Sequence, residues 1–180
     1  MPLSSFLFDR IKGGSFAVIA KLLFTVFMSL LSISLRAQTG KSSVGDIIFD
    51  ARTDDSKFQF CNPNFVLQGY ELKKRADESR KWISDQLKQN FVFHPSWKEQ
   101  TGFVTVRFAV NCFGLTDRFR AIGVTADLRA FDFPSAFTQY LIKLVKEIKW
   151  PVENYRQQAV DYYQDVTFKI VKGELKEALL

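Results

Sequence analysis

The sequence predicts an α+β domain with the element order α-β-β-α-β, in which a three-stranded sheet carries two helices on one face. Three observations lead to this prediction. Residues 104–110 alternate between apolar and polar side chains, and residues 165–171 do so again, which is the two-residue period of a half-buried strand. Two other segments place apolar residues at the spacing of an amphipathic helix. Apolar residues make up 47% of the 180 residues, so the chain can fill the core between such layers.

The first 37 residues are interpreted as a signal peptide. Fourteen uncharged, mostly apolar residues lie between Lys21 and Arg36. This length matches the roughly 7 to 15 residues of a signal-peptide core better than the roughly 17 to 25 residues of a membrane span. Cleavage after Ala37 would leave Gln38 as the N-terminus of a periplasmic protein. The alternative is a retained anchor over residues 15–35, which would hold the domain at the inner membrane.

The net charge of +6 comes partly from that leader. Residues 1–37 contain four basic residues and one acidic residue, which leaves 21 basic and 18 acidic residues in the rest of the chain. This near balance is typical of an ordinary solvated surface, and no run of Lys and Arg interleaved with aromatic residues remains. The composition therefore argues against a nucleic-acid partner, and contact with a membrane is expected only if the leader is retained.

Residues 38–57 are rich in Gly, Ser, Thr and Asp, so they are predicted to form a flexible lead-in with one short strand at residues 47–49. The domain itself is assigned to residues 58–180. Its first helix is predicted over residues 70–89, because no Pro or Gly interrupts their apolar face. That face consists of Leu72, Ala76, Ile83 and Leu87.

The next segment predicts a β-hairpin over residues 104–124, with an Asn-Cys-Phe-Gly sequence that suits the turn between its strands. In the second strand, Arg118 and Arg120 share the parity of apolar residues, so a bulge is expected near Phe119. The first strand directs four apolar residues to one face: Val104, Val106, Phe108 and Val110.

A second helix is predicted over residues 134–150, because Pro134 is accepted in a first turn and Pro151 ends the apolar stripe. The stripe consists of Phe137, Leu141, Leu144, Val145 and Ile148. Residues 152–163 are interpreted as a polar connection to the third strand. A right-handed crossover sets that strand parallel to the second strand and beside the first, which places it at an edge of the sheet.

These elements resemble the C-terminal domain of the TonB family, periplasmic modules with the same element order. The resemblance covers residues 70–175 and is carried by "GFVTVRFAVNCFG", "KLVKEIKWP" and "DVTFKI". The cysteine in the turn, together with "FCNP" upstream, is similar to a divergent exported branch from Bacteroidetes-type bacteria. The resemblance implies the TonB-C-like fold and the binding of another envelope protein, with an outer-membrane receptor among the candidates.

The predicted function is that of an exported, non-enzymatic binding module that recognises a protein or peptide segment by β-strand addition. An extended partner would pair with the open N–H and C=O groups of the last strand. The predicted edge strand consists of Val166, Thr167, Phe168, Lys169, Ile170 and Val171. No catalytic residue, metal ligand or cofactor is predicted.

Two alternative functions remain open. A membrane-anchored TonB-like energy transducer or accessory component would keep the leader. The family's transducers carry a long Pro-rich spacer, however, whereas this chain has five Pro and about 30 residues between Leu35 and the fold. A small periplasmic thiol hydrolase would use a cysteine with His94 as its base, but His94 is expected to be structural or exposed.

The cysteines are predicted to form a disulfide between Cys61 and Cys112, because an exported protein folds in an oxidising compartment. The alternative is a pair of small buried apolar residues. Cys112 has the parity of Val104 and Val110, so its sulfur is expected to lean towards the helix-covered face, where the segment before the first helix would pass.

For the remaining charged residues, an ordinary position on the exposed surface is weighed against a functional role. Arg118 and Arg120 could bind an anionic ligand, and otherwise they form an exposed strand face. Asp54 and Asp55 are expected to be surface charges, because they lie in a solvated segment.

Overall fold

The computed structural model describes residues 45–72 and 77–180. The predicted signal peptide therefore lies outside the described residues, as do residues 38–44 of the lead-in and Ala76. In the described part of the chain, no helix has the length and apolar character needed to cross a bilayer. The elements there are β1 (Val66–Gln68), α1 (Asp77–Asn90), β2 (Gly102–Val110), β3 (Thr116–Val124), α2 (Ser135–Lys146), β4 (Glu153–Tyr155), β5 (Gln158–Val171) and β6 (Glu174–Leu179), with short 3-10 helices at Gly69–Glu71 and Pro95–Trp97.

These strands form one six-stranded sheet built around β5. β2 and β3 form the predicted antiparallel hairpin, and β5 runs antiparallel to β2 on its other side. β5 is therefore parallel to β3 and adjacent to β2, as predicted. Because β1, β4 and β6 also pair with β5, the α+β class holds but the prediction of three strands is wrong.

Residues 166–171 do not lie at an edge of the sheet, contrary to the prediction. Thr167, for example, pairs with Thr105 of β2 on one side and with Leu179 of β6 on the other. The prediction assumed that the chain leaves the sheet after Val171, whereas a tight turn returns it as β6. From Thr167 to Ile170, this strand is consequently paired on both sides.

Two of the additional strands follow from two-residue hairpin turns. Lys172 and Gly173 have φ values of 53° and 78°, and Arg156 and Gln157 have φ values of 49° and 68°. Two central residues at positive φ characterise the type I′ turn, whose twist suits paired strands. Gly173 is a usual residue for that turn, but Arg156 and Gln157 are not. Residues 152–163 therefore had the pattern of a polar connection, although they contain β4 and the start of β5.

Both helices pack on one face of the sheet, as predicted. Ile83 and Leu87 of α1 are buried, and α1 is shorter than predicted because residues 69–71 form a 3-10 helix. α2 ends at Lys146, and the Trp150 indole that follows folds back onto the end of this helix. All five residues of the predicted α2 stripe are buried in the same cluster as Val104, Val106, Phe108 and Val110.

The expected bulge near Phe119 is present. The register between β2 and β3 shifts between Arg107 and Ala109, so β3 contains one extra residue there. Arg118, within the bulge, has a φ of 57°. The side chains of Arg118 and Arg120 reach the face of the sheet opposite the helices, where they contact the segment before β1.

Lys169→Pro should destabilise the domain, because a strand lies on each side of β5 at this residue and proline lacks the N–H that pairs with one of them. We expect the free energy of unfolding to fall by about 1–3 kcal/mol for the lost buried hydrogen bond, as measured by urea denaturation followed by circular dichroism. The control is Ala126→Pro, at the first central residue of the exposed turn closed by the Leu128 N–H and the Thr125 carbonyl, where proline is accepted. Equal stability of the two variants would contradict the central position of β5.

Candidate functional site

The face of the sheet opposite the helices is covered by the chain that precedes β1. Ile47 is buried there against Ala109 of β2 and Tyr163 of β5, and two phenylalanines pack on the same cluster. Residues 45–57 are therefore part of the folded domain, in contrast to the predicted flexible lead-in. Residues 47–49 do not form a strand, although they run across the sheet face.

Three arginine side chains hold this segment, which we call the strap and define as residues 45–55. Each arginine donates a hydrogen bond to a main-chain carbonyl of the strap, so these contacts do not depend on the strap's side chains. Arg118 and Arg120 consequently bind the strap of the same chain. The sequence favoured an exposed strand face for these two residues, and the structure does not show one. The three bonds join Arg107 to Gly45 at 2.8 Å, Arg118 to Ile47 at 3.1 Å and Arg120 to Ile48 at 2.7 Å.

Arg107 is almost completely buried, with 3% of its surface exposed. Asp165 of β5 balances its charge, since a carboxylate oxygen accepts a hydrogen bond from Nη1 at 2.9 Å. Nη2 also donates to the Gln68 side chain at 2.6 Å, and the guanidinium lies 5.4 Å from the centre of the Tyr163 ring. A buried guanidinium is tolerated when its donors are satisfied in this way. Arg107 thereby connects β1, β2 and β5 to the strap.

Asp54 is the acidic partner of Arg120, and its side chain has no exposed surface. Its oxygens accept hydrogen bonds from Nη1 and Nη2 of Arg120 at 2.7 Å each, and one of them also accepts the Asp50 N–H at 2.8 Å. Burial disfavours the charged form, but these hydrogen bonds outweigh it and hold the pKa of Asp54 below its ordinary value. The expectation of a surface charge at Asp54 was wrong, because this carboxylate fixes the strap to β3.

The predicted disulfide between Cys61 and Cys112 is present, with the two Cα atoms 6.0 Å apart. It joins the chain that follows the strap to the turn between β2 and β3. This chain arrives along the face opposite the helices, not along the helix-covered face that the parity of Cys112 suggested. Asp161 of β5, which is buried, supports the same corner, because its Oδ1 accepts the Cys112 N–H at 2.8 Å and its Oδ2 accepts the Asn62 N–H at 2.7 Å.

The residues considered for thiol chemistry have other roles. Cys61, Cys112 and Asp161 are the one group of three or more potential metal ligands that the described residues bring together, but sulfurs joined in a disulfide lack the thiolate that a metal or a nucleophilic reaction requires. His94 is exposed, and its Nδ1 lies 2.7 Å from the Ser96 hydroxyl at the start of a short turn. His94 therefore has the structural role that was expected of it.

The longest open edge of the sheet belongs to β3, with nine residues. At the end of β3 the chain covers this edge itself, since the Phe131 N–H donates to the Gly123 carbonyl at 3.0 Å and the Thr125 N–H donates to the Arg129 carbonyl at 2.9 Å. The main-chain N–H and C=O of Gly123 thus point away from β2. Because these groups alternate in direction along a strand, those of Ala121 point away from β2 as well. Among the described residues, no main-chain group pairs with the outward N–H and C=O of Ala121.

Exposed apolar side chains lie beside this open edge. Ile48 of the strap is 85% exposed, and its carbonyl is held by Arg120 of β3. Phe49, the next residue, is also exposed, as is Phe131 at the covered end of β3. An extended segment that paired with β3 would therefore have apolar surface to contact on its flank.

The six residues predicted for partner binding are engaged within the sheet. Thr167 Oγ1 lies 2.9 Å from Thr105 Oγ1, and Lys169 Nζ donates to Glu177 at 2.8 Å. Val171 ends β5 at the turn to β6. The other three lie in the helix-side core: Val166, Phe168 and Ile170.

Sequence reasoning also missed a cavity at the disulfide end, because β4 was interpreted as part of a connection. The cavity has a volume of about 410 Å³ and lies between the disulfide and the turn after β4. The rings of Phe65 and Tyr155, 5.8 Å apart, form its apolar side, and Asn62 and Arg156 also line it.

Comparisons of the chain with protein-family models, with curated proteins and with solved structures found no match. The TonB-like resemblance of residues 70–175 therefore stays an expectation from the sequence. The element order on which it depends is present, with β1, β4 and β6 added to the sheet.

Loss of the disulfide should lower the melting temperature. The bond closes a sequence separation of 51 residues, for which the chain-entropy relation gives about 4 kcal/mol of stabilisation. Cys61→Ser, Cys112→Ser and the double variant should lose stability equally, because each removes the same bond. Peptide mapping without reduction should find the two cysteine peptides linked, whereas two freely alkylated thiols in the native protein would contradict the bond.

The contribution of Asp54 should be lost in acid. Because its folded-state pKa lies below the unfolded value of about 3.9, the contribution is complete above that pH and disappears as the pH falls through the folded-state pKa. At pH 7, Asp54→Asn should lower the free energy of unfolding by about 1–2 kcal/mol. The loss is moderate because the Arg120 side chain is partly exposed, so water can solvate its charge when the partner is removed.

Urea denaturation of the native protein and of Asp54→Asn between pH 7 and pH 2 measures this difference. Subtraction of the two curves removes most of the opposite effect of Asp117, whose pKa is raised mainly by burial and to a smaller extent by the Asp54 charge. Asp85→Asn, in an exposed pair with Lys81 of α1, is the control and should change stability little. A difference for Asp54→Asn that stays constant down to pH 2 would contradict the role of its charge.

Proposed function

We propose that the domain is an exported, non-enzymatic binding module of the cell envelope that captures an extended protein segment by β-strand addition at the outer edge of β3. The observation that supports this proposal most directly is the open main chain at Ala121, next to the stretch where residues 129–131 already pair with the same edge. A partner strand would continue that pairing along β3. An outer-membrane receptor is one candidate for the partner.

The bulge limits how much of the edge a partner can use. Ordinary pairing stops near Arg118, so the open stretch is short and offers only two or three main-chain hydrogen bonds. At about 0.5–1.5 kcal/mol each, such bonds do not outweigh the entropy of ordering a partner segment. The exposed Ile48 and Phe49 beside the edge would supply the apolar contact that completes the binding energy.

The disulfide supports export, because such bonds form and persist in oxidising compartments. If the leader is retained instead, only about ten residues separate Leu35 from Gly45, where the strap is fixed to the sheet. An extended chain of that length spans about 35 Å, which suits an accessory component held close to the inner membrane better than a transducer that crosses the periplasm. A thiol hydrolase is not proposed, because both cysteines of the chain are bonded to each other.

Ala121→Pro should abolish capture of a partner while leaving the domain folded, because it removes a donor that has no partner within the described domain. The matched control is Ala126→Pro, which introduces the same residue in the exposed turn beyond the edge. The measurement is capture from envelope extract by the immobilised native protein and by each variant, with melting temperatures recorded in parallel.

Proteins captured by the native domain and by Ala126→Pro, but not by Ala121→Pro, would support strand addition at β3. Ile48→Asp gives a second test that does not alter the main chain, and it should weaken capture without lowering stability. Undiminished capture by Ala121→Pro would contradict the proposal.

A further inference from the structure

The strap contacts the sheet in the way that a bound peptide contacts its receptor. Its residues form no ladder with the described strands; instead, side chains of β2 and β3 reach its main chain. Arg107, Arg118 and Arg120 donate to its carbonyls. Every peptide carries these main-chain groups, so this part of the contact does not depend on the strap's sequence.

One strap side chain enters the sheet face. Ile47 is 6% exposed in a seat formed with Ala109 and Tyr163, whereas the next residue, Ile48, faces solvent. The apolar area that holds the strap is therefore about that of one aliphatic side chain. Segments with so few buried apolar contacts open at a lower free-energy cost than the core.

Arg118 has hydrogen-bonding capacity that the strap leaves unused. Its Nε is buried without a hydrogen-bond partner in the described part of the chain. Arg107 and Arg120 are paired with Asp165 and Asp54, but Arg118 lies within ion-pair distance of no described carboxylate. An unsatisfied buried donor costs free energy, so the strap does not satisfy every hydrogen-bonding group of this face.

We propose that the strap is an internal ligand, and that the sheet face beneath it is a second binding site for an extended peptide segment with one aliphatic anchor. The incoming segment would displace residues 45–48, place its aliphatic side chain in the seat of Ile47 and present its carbonyls to the three arginines. This site lies on the face of the sheet and is separate from the β3 edge, so neither proposal requires the other.

The anchoring of the strap permits such an exchange. Beyond residues 45–48 the strap stays attached through Asp54 and Arg120, and the chain that follows is fixed by the disulfide at Cys61. Release of the first four residues therefore leaves the disulfide and the helix-side core intact. Because the strap is tethered, it competes at an effective concentration in the millimolar range, and a free peptide binds measurably only when the strap is weakened.

The test uses a fluorescein-labelled peptide with the sequence of residues 45–57 and fluorescence anisotropy with the folded protein. Ile47→Asp in the protein should increase the affinity for this peptide at least tenfold over the native protein, because a charged residue is disfavoured in the apolar seat and frees the face. Val92→Asp, which places the same charge on an exposed aliphatic residue outside the strap, is the matched control and should bind as the native protein does. Ile47→Ala serves the same purpose if Ile47→Asp loses the native circular dichroism spectrum.

A second peptide, with Asp in place of the residue equivalent to Ile47, should not bind. Arg118→Ala in the Ile47→Asp background should reduce the affinity for the first peptide at least fivefold. Equal binding of the first peptide to the native and Ile47→Asp proteins, equal binding of the two peptides, or no binding to Ile47→Asp would each overturn the proposal. A dimer of the Ile47→Asp protein in light scattering would assign the face to a second copy of the chain and would overturn it as well.

Discussion

Pairing on both sides of β5 is the constraint on which the rest of the structure depends. β2 lies along one side of this strand, and β1 and β6 lie along the other, so only β3 is joined to the sheet through a different strand. Because β5 is paired on both sides over most of its length, an added strand could pair only with an outer strand of the sheet, and β3 offers the longest open edge. The same strand carries Asp161, Tyr163 and Asp165, which hold the disulfide corner, the Ile47 seat and Arg107.

The two faces of the sheet are covered by different physical means. The helices bury a continuous apolar cluster, in which non-directional burial of area provides the stability. The strap buries little apolar area and is positioned by directional hydrogen bonds from arginines, two of which are balanced by carboxylates. Such contacts specify where a segment lies more strongly than they stabilise it, which makes the strap the covering layer that can be exchanged.

The disulfide and Asp161 connect these two layers at one end of the sheet. Cys61 ends the segment that crosses the sheet face opposite the helices. Cys112 lies in the turn of the hairpin whose first strand contributes to the apolar core. Asp161 accepts a main-chain hydrogen bond from each side of this junction. A carboxylate buried between two N–H donors is well satisfied, so the corner stays ordered independently of the first strap residues.

The sequence by itself determined the elements whose signals are local. Alternation at Val104 to Val110, the stripe of α2 and the parity break near Phe119 predicted the hairpin, the helix-covered face and the bulge, because residue periodicity and main-chain geometry act within a few residues. The compartment implied by the leader was enough to pair the two cysteines of the chain. The Lys172-Gly173 pair was an available signal for β6, since glycine suits the turn that it forms.

Only the tertiary structure decided which surfaces remain open. Arg156 and Gln157 carry no glycine or asparagine signal for their turn, so β4 and the early start of β5 could not be recognised locally. Arg118, Arg120 and Asp54 looked like surface charges, because the β3 arginines and the strap groups that they bind lie more than 60 positions apart in the sequence. Whether a charge is solvated, paired or bound to a carbonyl depends on which distant segments come into contact. Residue type and local spacing do not determine those contacts.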